Sequence, residues 1–230
     1  MNANSNVYII GKKNISVLII SIIFYFVLYR LCEKKTMFNV YHSLIISSFF
    51  VYLLYNYSIN EEVSIDLYKM LLYHELAYNF SDLILNTNRT KGKYIYHHLL
   101  VLSGVLVSLI NNLEIKGIVN ILGIIQLGNI PYHLARLKYI DNYYSFIFYL
   151  LSSFTALIFW FVTTDFNKLK ENYSLEFFIM NLSGFLIGLW RLKQSYIMYL
   201  KIYENKDLIE KETEEDIIEE TILDEKIKIL

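Results

Sequence analysis

Seven stretches of this chain approach the roughly 20 mostly apolar residues that a bilayer-spanning helix needs. Asn14 to Leu31, Val40 to Tyr57 and Tyr143 to Val162 are clean up to their ends. Ile65 to Leu85 is apolar but interrupted by Asp66, Lys69, His74, Glu75 and Asp82. Tyr94 to Ile110 carries His97 and His98 near its start, and Ile118 to Leu137 contains Gln126, Asn129, Pro131 and His133. Leu175 to about Gln194 closes the set. Charged residues make up only 19 % of the 230 residues, against about 25 % in ordinary globular chains. One proline and eight glycines leave little punctuation for a loop-rich fold. The expected fold class is therefore all-α: a polytopic membrane protein of about seven transmembrane helices. The third span is retained because charges inside a bundle can face a cavity rather than lipid.

The first span resembles a signal peptide only superficially. Its apolar run is too long for that role and no small-residue cleavage site follows Leu31, so it reads as a retained helix. The single Cys32 excludes an intramolecular disulfide and a Cys-based metal site. A net charge of −1 gives no electrostatic case for a nucleic-acid partner.

Seven spans put the termini on opposite sides. One set of connections carries Arg30, Lys34, Lys35, Arg89, Lys91, Lys93, Arg136 and Lys138. The other holds Lys116, Lys168 and Lys170 beside Glu61, Glu62, Glu114 and Glu171. Basic residues stay cytosolic, which places the N-terminus in the lumen and the C-terminus in the cytosol, with Lys12 and Lys13 dissenting. Asn172, in a lumenal connection, is the least implausible glycosylation acceptor.

Three regions follow. Residues 1–34 form an N-terminal segment with the first span, 35–203 a six-helix domain, and 204–230 an acidic cytosolic tail. The tail is dominated by acids and isoleucine and reads as a solvated segment or a site for a cytosolic partner. Lys226 and Lys228, near its end, resemble the di-lysine retrieval signal of endoplasmic-reticulum membrane proteins, an address read by a receptor.

Polar residues inside a bilayer are costly, so their placement is informative. His74, Tyr78 and Asp82 recur at every fourth residue and share a helical face. Gln126, Asn129 and His133 recur at three and four and share another. His97 and His98, as neighbours, point about 100° apart. Three helices thus offer stripes that can line one polar chamber, or simply hydrogen-bond the helices together. No His-x-x-His-His box occurs and the His pair lacks a helical metal-ligand spacing, so no metal is expected.

In order and spacing, these pieces resemble the TLC domain family, named for translocating-chain-associating membrane protein, ceramide synthases and their relatives. The resemblance is carried by Tyr78-Asn-Phe-Ser-Asp82-Leu83, the basic Arg89-Thr-Lys91-Gly-Lys93, Tyr96-His97-His98-Leu99, Ser108, Gly117, Gln126-Leu-Gly-Asn129 and Leu134-Ala135-Arg136. It implies a six-helix barrel around a polar chamber. In the synthases it implies acyl transfer from coenzyme A to a sphingoid-base amine, with His97, His98 and Asp82 as the catalytic positions here. His74, Tyr78, Ser108, Gln126, Asn129 and His133 would then contact the ligand. Two aspartates of the synthase signature are amides in this chain, Gln126 and Asn129, and threonine and lysine positions carry Val101 and Arg136. An amide does not stabilise an imidazolium as a carboxylate does. In a serine-protease triad the same exchange costs about 10⁴ in kcat. The expected function is accordingly lipid handling or membrane lipid homeostasis without acyltransferase chemistry or cofactor, with membrane lipids as partners. The alternative is a ceramide synthase-like N-acyltransferase using His97 and His98, with acyl-coenzyme A as substrate.

Overall fold

The computed structural model describes residues 12–32, 34–85, 92–163 and 174–203. The described residues form seven helices: α1 (Lys12–Leu31), α2 (Lys35–Ser58), α3 (Ile65–Leu85), α4 (Gly92–Asn111), α5 (Ile115–Arg136), α6 (Asn142–Thr163) and α7 (Leu175–Tyr203). Each expected span coincides with one helix, and the last runs nine residues beyond the expected Gln194. Lys226, Lys228, the acidic tail, Arg89, Lys91 and Asn172 lie outside the described residues.

Helix ends follow local chemistry. Asn60, Asn112 and Lys138 each adopt a positive φ just past a helix. Asparagine tolerates that left-handed conformation better than other non-glycine residues. At each site the next backbone N–H reaches five residues back: Glu61 to Asn56, Leu113 to Ser108 and Tyr139 to Leu134. This closes the exposed carbonyls of the last turn. Pro131, expected to bend the fifth helix or interrupt its hydrogen bonding, lies inside α5, which continues to Arg136.

Four helices are long and apolar enough to cross a membrane: Lys35–Ser58, Ile115–Arg136, Asn142–Thr163 and Leu175–Ile202. Ile15–Leu31 and Ile95–Asn111 are apolar but shorter. Polarity is arranged as expected of an integral membrane protein. On α6, Phe148, Leu151, Phe154, Ile158 and Phe161 recur at three and four residues and are exposed. A soluble monomer rarely exposes a continuous apolar stripe of that kind. Two charges of α3 instead turn inward, Glu75 and Asp82, only 3 % and 2 % exposed.

Neighbouring helices make a circuit. α2 packs on α5, α5 on α6, α6 on α7, α7 on α4 and α4 on α3, while α2 and α3 touch more lightly. α1 packs mainly on α3 and drives Tyr25, fully buried, into the interior. One apolar cluster gathers Leu72, Val105, Val119 and Leu122 with Ile46 and Leu53. A second gathers Tyr25, Phe38, Ala77 and Tyr78. On α2 and α3 the residues between these clusters, His42 and Glu75, are polar. They belong to a buried polar layer that continues past the second cluster to Lys35 and Asp82.

Candidate functional site

The layer is built from side chains on all seven helices. α3 supplies Glu75, Asn79 and Asp82 at spacings of four and three, one inward face. Asn79 donates from Nδ2 to both the Glu75 carbonyl and Glu75 Oε1, each at 2.9 Å. The backbone acceptor fixes the amide, so Asn79 Oδ1 is left as acceptor. His98 Nδ1 lies 2.8 Å from that oxygen and must donate. His98 Nε2 lies 2.9 Å from Asp82 Oδ2, and Lys35 Nζ stands 3.7 Å from Asp82 Oδ1. Asp82 thus ties α2 to α4, and both His98 nitrogens are committed.

His42 on α2 is the hinge between this half and the next. Its Nδ1 meets the Tyr25 hydroxyl at 2.9 Å, and its ring stacks on Tyr78 with centroids 3.5 Å apart. Its Nε2 has two claimants, Glu75 Oε2 at 3.2 Å and Gln126 Nε2 at 3.2 Å. Only the Gln126 contact is aligned as a hydrogen bond, leaving buried Glu75 Oε2 without one among the described residues. The carboxylate needs an N–H from that nitrogen and the amide needs its lone pair, so the two compete for one atom. Gln126 cannot turn to relieve this, because its Oε1 accepts from Ser43 at 2.8 Å and from Asn129 at 2.9 Å.

Asn129 passes the network to α7. Arg191 donates through one terminal nitrogen to Asn129 Oδ1 at 2.6 Å, through Nε to Ser153 at 3.1 Å, and through the other terminal nitrogen to Ser152 at 2.9 Å. Its guanidinium also stacks 4.0 Å over the Tyr149 ring. Close approach of α5 and α6 requires glycine here: a Cβ at Gly128 would overlap Ser152 and stand 3.2 Å from the Arg191 guanidinium.

Beside the network lies a cavity of about 80 Å³ bounded by α4, α5, α6 and α7. Its wall is mostly apolar, with Val105, Ile121, Leu157 and Ile187 among the lining residues, and Arg191 forms part of it. Consecutive helices α4 and α5 make only sparse contact with each other.

The sequence-derived residues divide clearly. Tyr78, Asp82, His98, Gln126 and Asn129 meet in the layer. Rather than lining an open chamber, they bond to one another or stack on His42. Ser108 lies outside it and donates to the Leu113 carbonyl near the end of α4. His74 is half-buried against Tyr25, 6.2 Å between rings, and its Nδ1 has no hydrogen-bond partner among the described residues. His97 stacks near Trp190 at 6.0 Å and His133 sits against Tyr132, their Nδ1 atoms likewise unbonded among the described residues. Among the described residues no three His, Cys, Asp or Glu side chains gather as metal ligands.

Sequence reading passed over His42, Asn79, Tyr25 and Arg191. His42 sits in a span judged clean because histidine carries no formal charge. Arg191 lies close to the expected end of its span, where basic residues normally mark the membrane interface. The usable signal was there: beyond Arg191 and Lys193 the helix resumes an apolar run, Tyr196 to Leu200. Compared with protein-family models, curated proteins and solved structures, the chain matches none.

Proposed function

We propose that this protein is a seven-span membrane protein of TLC type that binds and redistributes membrane lipid, without acyltransferase chemistry. The circuit of α2, α5, α6, α7, α4 and α3 supports a six-helix barrel with α1 outside it. The observation that carries the function is the mostly apolar cavity bounded by four helices, with the buried Arg191 among its lining residues. That combination suits an amphiphile, with apolar wall for a chain and a few polar groups to orient a head. Loop charge supports a lumenal N-terminus and a cytosolic C-terminus. Lys226 and Lys228 support residence in the endoplasmic reticulum, and the acidic tail suits a cytosolic partner. The test is lipid profiling of cells that express the protein or its Gly117→Phe variant. A Cβ at Gly117 has nothing nearer than Glu114 at 4.0 Å, so the phenyl ring has room to occupy the cavity that Gly117 lines. The profile should change with the wild type and stay at baseline with the variant. A profile that ignores both refutes the reading.

A ceramide synthase-like N-acyltransferase is the second reading, favoured by the 2.9 Å contact of His98 with Asp82. It restores an orienting carboxylate although Gln126 and Asn129 are amides. A general base needs a free lone pair within reach of the substrate proton, and both nitrogens of His98 already face protein acceptors. His97 keeps an unbonded Nδ1 among the described residues, so it would carry the proton transfer while Asp82 positions His98. Purified protein given acyl-coenzyme A and sphinganine should show no turnover. Turnover that disappears in the His97→Ala, His98→Ala double variant would establish the synthase.

A further inference from the structure

We propose that Glu75 and His42 form a buried proton switch: uptake of one proton by the pair turns His42 Nε2 from a donor to Glu75 into an acceptor from Gln126. The inference stands apart from lipid binding, so its failure leaves the proposed function untouched. It begins with the two neighbours of that nitrogen. Glu75 Oε2 and Gln126 Nε2 each lie 3.2 Å from it, and one nitrogen cannot donate to a carboxylate and accept from an amide at once. Neither neighbour can turn away. Asn79 Nδ2 donates to Glu75 Oε1 and to the Glu75 carbonyl, so Oε2 is the oxygen facing His42. Gln126 Oε1 accepts from Ser43 and Asn129, which keeps its N–H groups toward His42. The imidazole is held flat on Tyr78, with centroids 3.5 Å apart and planes inclined by 1°, so the ring does not exchange its nitrogens by flipping.

What can move is a proton. The partner of Nδ1, at 2.9 Å, is the Tyr25 hydroxyl, and a phenol both donates and accepts. With Glu75 ionised, Nε2–H donates to Oε2 and Tyr25 donates to Nδ1. A proton taken up by the pair reaches Nδ1 by way of Tyr25, and Nε2 passes its own to Oε2. Glu75 is then a neutral acid and His42 is neutral in its other tautomer. Nδ1–H donates to Tyr25, and the bare Nε2 accepts from Gln126. One proton is gained and no ion pair is left in the low-dielectric interior, where it would be costly. The described geometry is that of the protonated state, aligned on Gln126 with Glu75 Oε2 unbonded among the described residues. Helix packing agrees, for α2 lies closely on α5 and only lightly on α3. Other ionisable groups face the pair: Tyr25 on α1, His74, Tyr78 and Asp82 on α3, His97 on α4 and His133 on α5. Lys35 and His98 stand one contact further off, on Asp82. All of them bear on stability at a given pH, so the switch must be read at the ring nitrogen itself.

The experiment is a pH titration by NMR of the purified full-length protein in nanodiscs, labelled at histidine nitrogens and glutamate carboxyl carbons. The His42 and Glu75 signals are assigned by their loss in His42→Gln and Glu75→Gln. An ordinary histidine gains an N–H as pH falls. His42 Nε2 should instead lose its proton, shifting from a pyrrole-like to a pyridine-like signal, in the same step in which the Glu75 carboxyl becomes protonated. Glu75→Gln should hold Nε2 pyridine-like at every pH, because Asn79 keeps the new amide oxygen and turns its N–H groups toward His42. An Nε2 signal that stays in one form across the titration overturns the switch. So does a His42 that becomes doubly protonated while Glu75 stays ionised. Both are read from the wild type and need no variant to report on the switch.

Discussion

His98 and Asp82 meet at 2.9 Å, and the ring is clamped from its other side by Asn79 at 2.8 Å. Held at both nitrogens, His98 is a fixed strut between α4 and α3 rather than a free base. Removing one member of such a buried pair leaves the other uncompensated, at a cost of about 3–5 kcal/mol. Asp82→Ala and His98→Ala should each lower the thermal midpoint strongly in detergent. In a double-mutant cycle the two losses should fail to add by about 1–3 kcal/mol. Additive losses would mean that the contact contributes nothing.

The two amides should respond oppositely to conversion into acids. Asn129 already accepts from Arg191 at 2.6 Å, so Asn129→Asp places an anion beside an unmatched cation and should hold or raise the midpoint. Gln126 and Glu75 both lie 3.2 Å from the same His42 nitrogen. Gln126→Asp therefore crowds two carboxylates around one imidazole and should lower the midpoint. Neither change, nor the two together, should produce acyltransferase activity. A gain of turnover in the double variant would show a synthase scaffold that had lost its carboxylates.

Gly128 and Gly117 offer a steric contrast on one helix. Gly128→Ala should cost about 1–3 kcal/mol by overpacking, because its Cβ overlaps Ser152. Gly117→Ala should leave the midpoint unchanged or slightly higher, since alanine favours helix over glycine. Equal midpoints for the two variants would show that α5 and α6 are not held as closely as described.

The helices were legible because a long apolar run demands internally satisfied backbone whatever surrounds it, and every expected span is a helix, four of them long and apolar enough to cross a membrane. Half of the polar layer was legible too, through the periodicity of Tyr78 and Asp82 and of Gln126 and Asn129. What stayed hidden is partner choice. Nothing in a single sequence says that α2 lies against α5, so His42 could not be matched to Gln126, nor Arg191 to Asn129. His74 shows the converse error, for a correct four-residue spacing from Tyr78 did not carry it into the layer.

The expected topology has a direct check. A tag placed after Leu230 should be digested by protease added to sealed microsomes if, as proposed, that end is cytosolic. Changing Lys226 and Lys228 together to alanine should release part of the protein from the endoplasmic reticulum. Protection of the tag would invert the orientation, and unchanged retention would remove the address.

The central claim is that lipid occupies the cavity beside Arg191. Native mass spectrometry of the protein released from mild detergent tests it most directly. The wild type should carry a bound lipid adduct, and Gly117→Phe, equally folded by its thermal midpoint, should carry none. An adduct retained in full by Gly117→Phe, or no adduct on the wild type after lipid is supplied, would contradict the account.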